Sequence, residues 1–174
     1  MPESLSHHIK SRYWIALLLY CLTPYVIALP EDAQSIIHMH AGAVDLNQQT
    51  HQGIYTGGIA LDQGTTHILA EQAKTEGNAE HRFTKAIIEG NQKAQAHYWT
   101  LVSKDKPVMH AFADKIIYYP LKHEISLIGH AHVQQGPHSF NAPVIHYNLN
   151  TQHVLSKPAI GEQTTIIFQP DQTS

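Results

Sequence analysis

Apolar and polar residues alternate in short runs along most of the chain beyond Leu29. The clearest run is residues 116–136, IIYYPLKHEISLIGHAHVQQG. Ile116 and Tyr118 share one parity, Ile125 and Leu127 resume the alternation after a polar turn, and Gly129 breaks it before Val133. A period of two with β-branched and aromatic enrichment is the signature of half-buried strands. The same reading predicts strands over 35–40, 43–46, 53–55, 59–62, 66–73, 84–89, 93–101, 108–111, 114–119, 123–127, 130–134, 139–141, 144–147, 153–155 and 164–168. Turn residues separate them at Asn47-Gln48-Gln49, Gln63-Gly64, 104–107, 135–137 and 148–151. The best helical segment, 70–79, is short and ends in Glu-Gly-Asn, which reads equally well as a strand end and a loop. Connections this short exclude crossovers, so the expected fold is all-β and antiparallel.

The pattern is written more than once. A shift of 72 residues places Ala41 on Ala113, His51 on His123, Gly57 on Gly129, Gln63 on Gln135, Gly64 on Gly136 and Ala70 on Ala142. A shift of 29 places Ala113 on Ala142, Ile116 on Ile145, Tyr118 on Tyr147 and Ile125 on Val154. Repeated strand–turn–strand units cannot bury an apolar face alone, so they are expected to stack into one continuous sheet or roll.

Composition agrees with a folded chain. Its 174 residues are 43% hydrophobic, about one domain's worth with enough apolar surface for a core. Residues 13–29, YWIALLLYCLTPYVIAL, carry no charge and follow Lys10 and Arg12, which resembles a secretory signal peptide cut after Ala28. Thr23 and Pro24 interrupt the stretch and leave it short for a membrane-spanning helix. The expected organisation is a signal peptide over 1–28, one β domain over 29–170 and a frayed tail over 171–174, with a periplasmic location. The single cysteine, Cys21, lies in the segment expected to be removed, which leaves no disulfide, cysteine nucleophile or thiolate metal site. A formal net charge of −3 with scattered charges gives no basic footprint for nucleic acid.

Candidate chemistry is thin. Among 15 histidines are two His-x-His pairs, His38/His40 and His130/His132, whose spacing would put both imidazoles on one face of a strand. A cupin-like metal site would need a Glu shortly after the second His, where this chain has Gln135 and Gly136. No G-x-S-x-G elbow, phosphate-cradling glycine loop or facing pair of acids is present, and Asp114 reads as a turn residue. The expectation is no enzyme, no cofactor and no metal. What remains is the apolar parity: Ile37, Met39, Val44, Leu46, Ile59, Leu61, Ile68, Ile116, Tyr118, Ile125, Leu127, Val133, Phe140, Ile145 and Tyr147. These residues could be the core of a β-sandwich, or the lining of a roll that holds hydrocarbon at about 0.8 kcal/mol per buried CH₂.

Three stretches, AGAVDLNQQTHQGIYTGGIALDQGTTHILAEQA, KPVMHAFADKIIYYPLKHEISLIGHAHVQQG and APVIHYNLNTQHVLSK, together resemble the OstA-like family of periplasmic lipopolysaccharide-transport proteins. The pattern Y-T-G-x-I-x-L-x-Q-G at 55–64 has a degraded second copy at 127–136, and the resemblance spans 29–170. It implies a twisted antiparallel β-jellyroll open at both ends, a carrier of lipid A acyl chains with Ile37, Ile116 and Tyr118 inside. This chain has His97 where the family often places an aromatic residue. The resemblance further implies end-to-end stacking, with an LptC-type inner-membrane partner at the N-terminal edge and an LptD-type outer-membrane partner at the C-terminal edge. The edges themselves support this: Ile36, Ile37 and His38 at one end and Ile166, Ile167 and Phe168 at the other carry no Pro or Lys to block strand addition. The alternatives are an LptC-like adaptor that binds protein and no lipid, or a cupin-type metal-binding protein.

Overall fold

Twelve strands form one antiparallel sheet in the computed structural model, which describes residues 35–169 apart from 81, 149–150, 152, 158–160 and 162. The expected signal peptide and tail lie outside the described residues. In chain order the strands are β1 (Ile37–His40), β2 (Ala43–Asn47), β3 (Gln52–Gln63), β4 (Thr66–Gly77), β5 (Phe83–Glu89), β6 (Ala96–Thr100), β7 (Met109–Ala113), β8 (Lys115–Tyr119), β9 (Glu124–Gln135), β10 (His138–Asn148), β11 (His153–Lys157) and β12 (Thr165–Ile167). One 3₁₀ turn, Pro120–Lys122, joins β8 to β9 where the sequence places its polar turn.

The long strands bend, and the bends divide the sheet in two. One half runs β2, the start of β3, the end of β4, β5, β8, the start of β9, the end of β10, and β11. The other runs β1, the end of β3, the start of β4, β6, β7, the end of β9, the start of β10, and β12. The register jumps at the bends, between Thr56 and Ile59 against β4 and between Ala142 and Val144 within β10. Gly57 and Gly129 sit at these points with φ of +81° and +80°, a conformation that an L side chain adopts only under strain. A Cβ on Gly57 would also lie 3.2 Å from Gly42 Cα.

Three expectations change here. The runs 53–55 and 59–62 are one strand, β3, because the ladder to β4 resumes beyond the glycines; 123–127 with 130–134, and 139–141 with 144–147, merge likewise into β9 and β10. Segment 70–79 lies mostly in β4 and is not helical. The pair His130/His132 does not present two imidazoles to one face by simple alternation, because His130 occupies the bend with φ of +46°.

The 72-residue shift is structural. Adding 72 to both members of the pairs Ile37↔Gln63, Val44↔Tyr55 and Gly53↔Thr75 gives the observed pairs Met109↔Gln135, Ile116↔Leu127 and Ile125↔Tyr147. Strands β1–β4 are thus the counterparts of β7–β10. Strands β5 and β6 correspond to β11 and β12 with a shift of 68: Gln72↔Glu89 becomes Val144↔Lys157 and His67↔Trp99 becomes Ser139↔Ile167. The sheet is therefore two six-strand repeats, joined where β5 meets β8 and β6 meets β7. The 29-residue shift is not a second repeat. Ile116 and Ile145 are both opposed to Leu127, and Tyr118 and Tyr147 are both opposed to Ile125, so the shift records residues that share a row across the sheet.

Candidate functional site

Directly opposed residues of neighbouring strands share a face, so the registers define rows that cross the whole sheet. One row reads Val44, Tyr55, Ala73, Ile88, Ile116, Leu127, Ile145, Ser156. The next, nearer the hairpin ends, reads Leu46, Gly53, Thr75, Ala86, Tyr118, Ile125, Tyr147, Val154. In the other half, Met39, Leu61, Ile68, Tyr98, Ala111, Val133, Phe140 and Ile166 form a third. Beside the bends runs a row of small residues, with the opposed pairs Ile59↔Ala70, Ala96↔Ala113 and Ala131↔Ala142. Both halves contribute to a single apolar cluster, in which Ile116, Leu127 and Ile145 pack with Ile59, Ala96 and Ala131. Alanine prevails near the bends because the backbone itself comes close there: Gly42 already stands where a Cβ would lie 2.8 Å from Gly57 O.

Each of the fifteen apolar candidates lies on this inner face. Ile59, Ile116, Leu127 and Ile145 are buried; Leu61, Ile68, Tyr118, Ile125, Val133, Phe140 and Tyr147 are partly buried. Ile37, Met39, Val44 and Leu46 keep the right parity but are exposed, because β1 and β2 are the outermost strands of the sheet. Burial raises the phenol pKa of both Tyr118 and Tyr147. Phe83, at the start of β5, is exposed and meets Tyr118 with ring centroids 6.5 Å apart. An adjoining surface pocket of about 500 Å³ opens between Leu46, His51, Gly53, Thr75 and Phe83.

Sequence reasoning missed Tyr55, Ala73, Ala86, Ile88, Tyr98, Ala111 and the alanine row. Ala86-Ile87-Ile88 and Tyr98-Trp99 are continuous apolar runs in which parity is ambiguous, and only the pairing with β4, β7 and β8 selects the inward member. His97 falls on the opposite face. There it stacks on Phe112 at 4.1 Å and on Trp99 at 4.5 Å, and Trp99 stacks in turn on His67 at 4.9 Å. His97 Nε2 and His110 Nδ1 are 3.1 Å apart, and desolvation followed by repulsion from His110 lowers the His97 pKa. On the same face His132 Nδ1 pairs with Asn141 Oδ1 at 2.6 Å.

Asp114, between β7 and β8, holds the bend: its carboxylate meets His130 Nδ1 at 2.8 Å and accepts from Gln95 Nε2 at 3.1 Å. The His130 hydrogen bond lowers its pKa most. His38 and His40 are exposed on β1. Among the described residues no group of three or more His, Cys, Asp or Glu is arranged to hold a metal ion.

The six edge candidates are where the sheet ends. Ile37 and Ile166 are 57% and 48% exposed, and Ile36, His38, Ile167 and Phe168 are exposed as well. Among the described residues, strands β1 and β2 pair with β3 alone, and β11 and β12 with β10 alone.

Known proteins share this arrangement. The lipopolysaccharide export system protein LptH of Pseudomonas aeruginosa is 26% identical over 141 residues, covering 80% of this chain and 78% of the relative. The lipopolysaccharide export system protein LptA of Escherichia coli K12 is 26% identical over 146 residues, covering 83% and 77%. The crystal structure of LptH, the LptA-homologous periplasmic component of the lipopolysaccharide transport device of Pseudomonas aeruginosa, superposes with a TM-score of 0.70 at 23% identity over 81% of this chain and all of that one. The fold is therefore the LptH jellyroll: the alternating pattern implied an all-β antiparallel sheet, and the family resemblance implied the jellyroll. A sequence model described as LptA/(LptD N-terminal domain) LPS transport protein matches residues 38–153, and the chain, an LptA-like protein, belongs to that family of transport proteins rather than to a family of enzymes.

Proposed function

We propose that this protein carries lipopolysaccharide through the periplasm, with lipid A acyl chains lying on the inner face of the bent sheet. Copies stack end to end between an inner-membrane LptC-type partner at the β1–β2 edge and an outer-membrane LptD-type partner at the β11–β12 edge. One observation carries the reading: the inner rows are largely apolar across the sheet, with Thr75 and Ser156 as polar members, and five of their six ends at the two sheet edges are apolar. Met39, Val44 and Leu46 end them on one side, and Val154 and Ile166 on the other. A protein that ended at its own core would gain from polar residues there, since long apolar edges invite aggregation. Acyl chains sliding along such rows exchange one hydrocarbon contact for another, each buried CH₂ contributing about 0.8 kcal/mol. The names of the relatives support lipopolysaccharide as the cargo and the periplasm as the compartment.

The test is a photocrosslinking amino acid at Tyr118, on the inner face, compared in living cells with one at Ile117, on the outer face. Lipopolysaccharide adducts at 118 and none at 117 are expected. Protein adducts alone at 118 would overturn the carrier reading in favour of an adaptor.

A further inference from the structure

We infer that copies of this chain join in the register of its own internal seam, so that the junction between two molecules repeats the junction between the two halves of one. The inference rests on the end-to-end stacking proposed above and assigns its residue pairs. Inside the molecule, the last strands of the first repeat meet the first strands of the second through Ile88↔Ile116 on β5–β8 and Tyr98↔Ala111 on β6–β7. The free strands β11 and β12 are the counterparts of β5 and β6, and the free strands β2 and β1 are the counterparts of β8 and β7. Carrying the seam over sets Ser156 opposite Val44, Val154 opposite Leu46, Ile166 opposite Met39 and Phe168 opposite Ile37 of the next molecule. Apart from Phe168, which lies one residue beyond β12, all are inner-face positions at which a row now stops.

A second observation points the same way. At the internal seam Gln95 Nε2 donates to Gly129 O at 3.5 Å and His130 O at 3.2 Å, tying the incoming loop to the bend of β9. The position 68 residues on is again a glutamine, Gln163, and the carbonyls it would meet across the junction are those of Gly57 and Gly58, at the bend of β3. The seam's Lys115–Glu89 ion pair is not copied, since the corresponding residues are Ala43 and Lys157. The junction between molecules accordingly lacks this ion pair.

Disulfide trapping tests the register. The full chain carrying Cys21→Ser is expressed for export with Met39→Cys and Ile166→Cys, with Val44→Cys and Ser156→Cys, or with the out-of-register pair Met39→Cys and Thr164→Cys. Within one molecule the two sites of each pair lie on opposite edges of the sheet. Opposed strand residues lie about 4.5–5.5 Å apart, within disulfide reach, whereas diagonal neighbours lie beyond it. Mild oxidation is expected to give a ladder of linked multimers from both in-register pairs, about tenfold more than from the control. A ladder as strong from Met39→Cys/Thr164→Cys would overturn the register while leaving stacking in place. No ladder from any pair, with the unsubstituted protein monomeric in sedimentation, would overturn stacking and the register with it; the Tyr118 lipid adduct is read independently.

Discussion

Lys115 Nζ and Glu89 Oε1 form an ion pair at 2.6 Å across the seam where the first six-strand repeat meets the second. Both side chains are partly exposed, and the bond from Lys115 is the largest influence lowering the Glu89 pKa. Lys115→Ala and Glu89→Gln in a double-mutant cycle should show a coupling of about 0.5 kcal/mol that shrinks at high salt. Because the carboxylate pKa is lowered on folding, this contribution is present above its ordinary value of 4.5 and is lost as pH falls through the folded value. A coupling of zero in low-salt urea titrations would remove the pair from the account of the seam.

Ile145 and Val44 stand in the same row with five strands between them, three of the first repeat and two of the second, and have opposite surroundings. Ile145 is 2% exposed between Leu127 and Ser156, and Val44 is 54% exposed on the outermost strand. Ile145→Ala should cost about 2–5 kcal/mol by urea denaturation of the isolated protein, and Val44→Ala less than about 1 kcal/mol. The order reverses in a stacking assay, where Val44 is at the junction. Equal losses in the monomer would mean that the row does not end at β2.

Gly58 and Gly129 share a left-handed backbone, with φ of +82° and +80°, but differ in space. Nothing lies within 4 Å of a Cβ built on Gly58, whereas one on Gly129 would collide with the Asp114 carboxylate. Gly58→Ala should cost about 1 kcal/mol from the backbone alone, and Gly129→Ala measurably more. If Asp114→Ala restores Gly129→Ala to the level of Gly58→Ala in thermal melts, the excess is the collision; an unchanged gap would refute that cause.

His97 is held neutral on the outer face by burial between Phe112 and Trp99, with His110 beside it. A lowered folded pKa means that its share of stability is complete above the ordinary value of 6.5 and is lost as pH falls below it. Between about pH 7 and pH 5.5 the melting temperature of His97→Phe should fall less than that of the unsubstituted protein. Parallel melting curves for the two proteins across that range would rule the mechanism out.

The fold class was legible because alternation is a local property. Ile116, Tyr118, Ile125 and Leu127 point inward wherever their strands are placed, since successive side chains on a strand point to opposite faces. The strand count was not, because Gly57-Gly58 and Gly129-His130 look like breaks in the pattern and are bends within continuous strands. Nor was the choice between His97 and Tyr98, adjacent residues in a run without clean alternation, until the pairs Ile68↔Tyr98 and Tyr98↔Ala111 set the inward one.

The sequence by itself determined the period of two, the apolar parity and the 72-residue echo that marks Gly57 and Gly129 as equivalent. The tertiary structure decided which strands are neighbours and hence where each row stops. Ile116 and Val44 are equivalent in pattern; one is 3% exposed and the other 54%. The reason is that direction is set by a residue's own backbone, but burial needs a strand on either side and a second half-sheet folded over it. At β1, β2, β11 and β12 the described residues supply only one of the two neighbours.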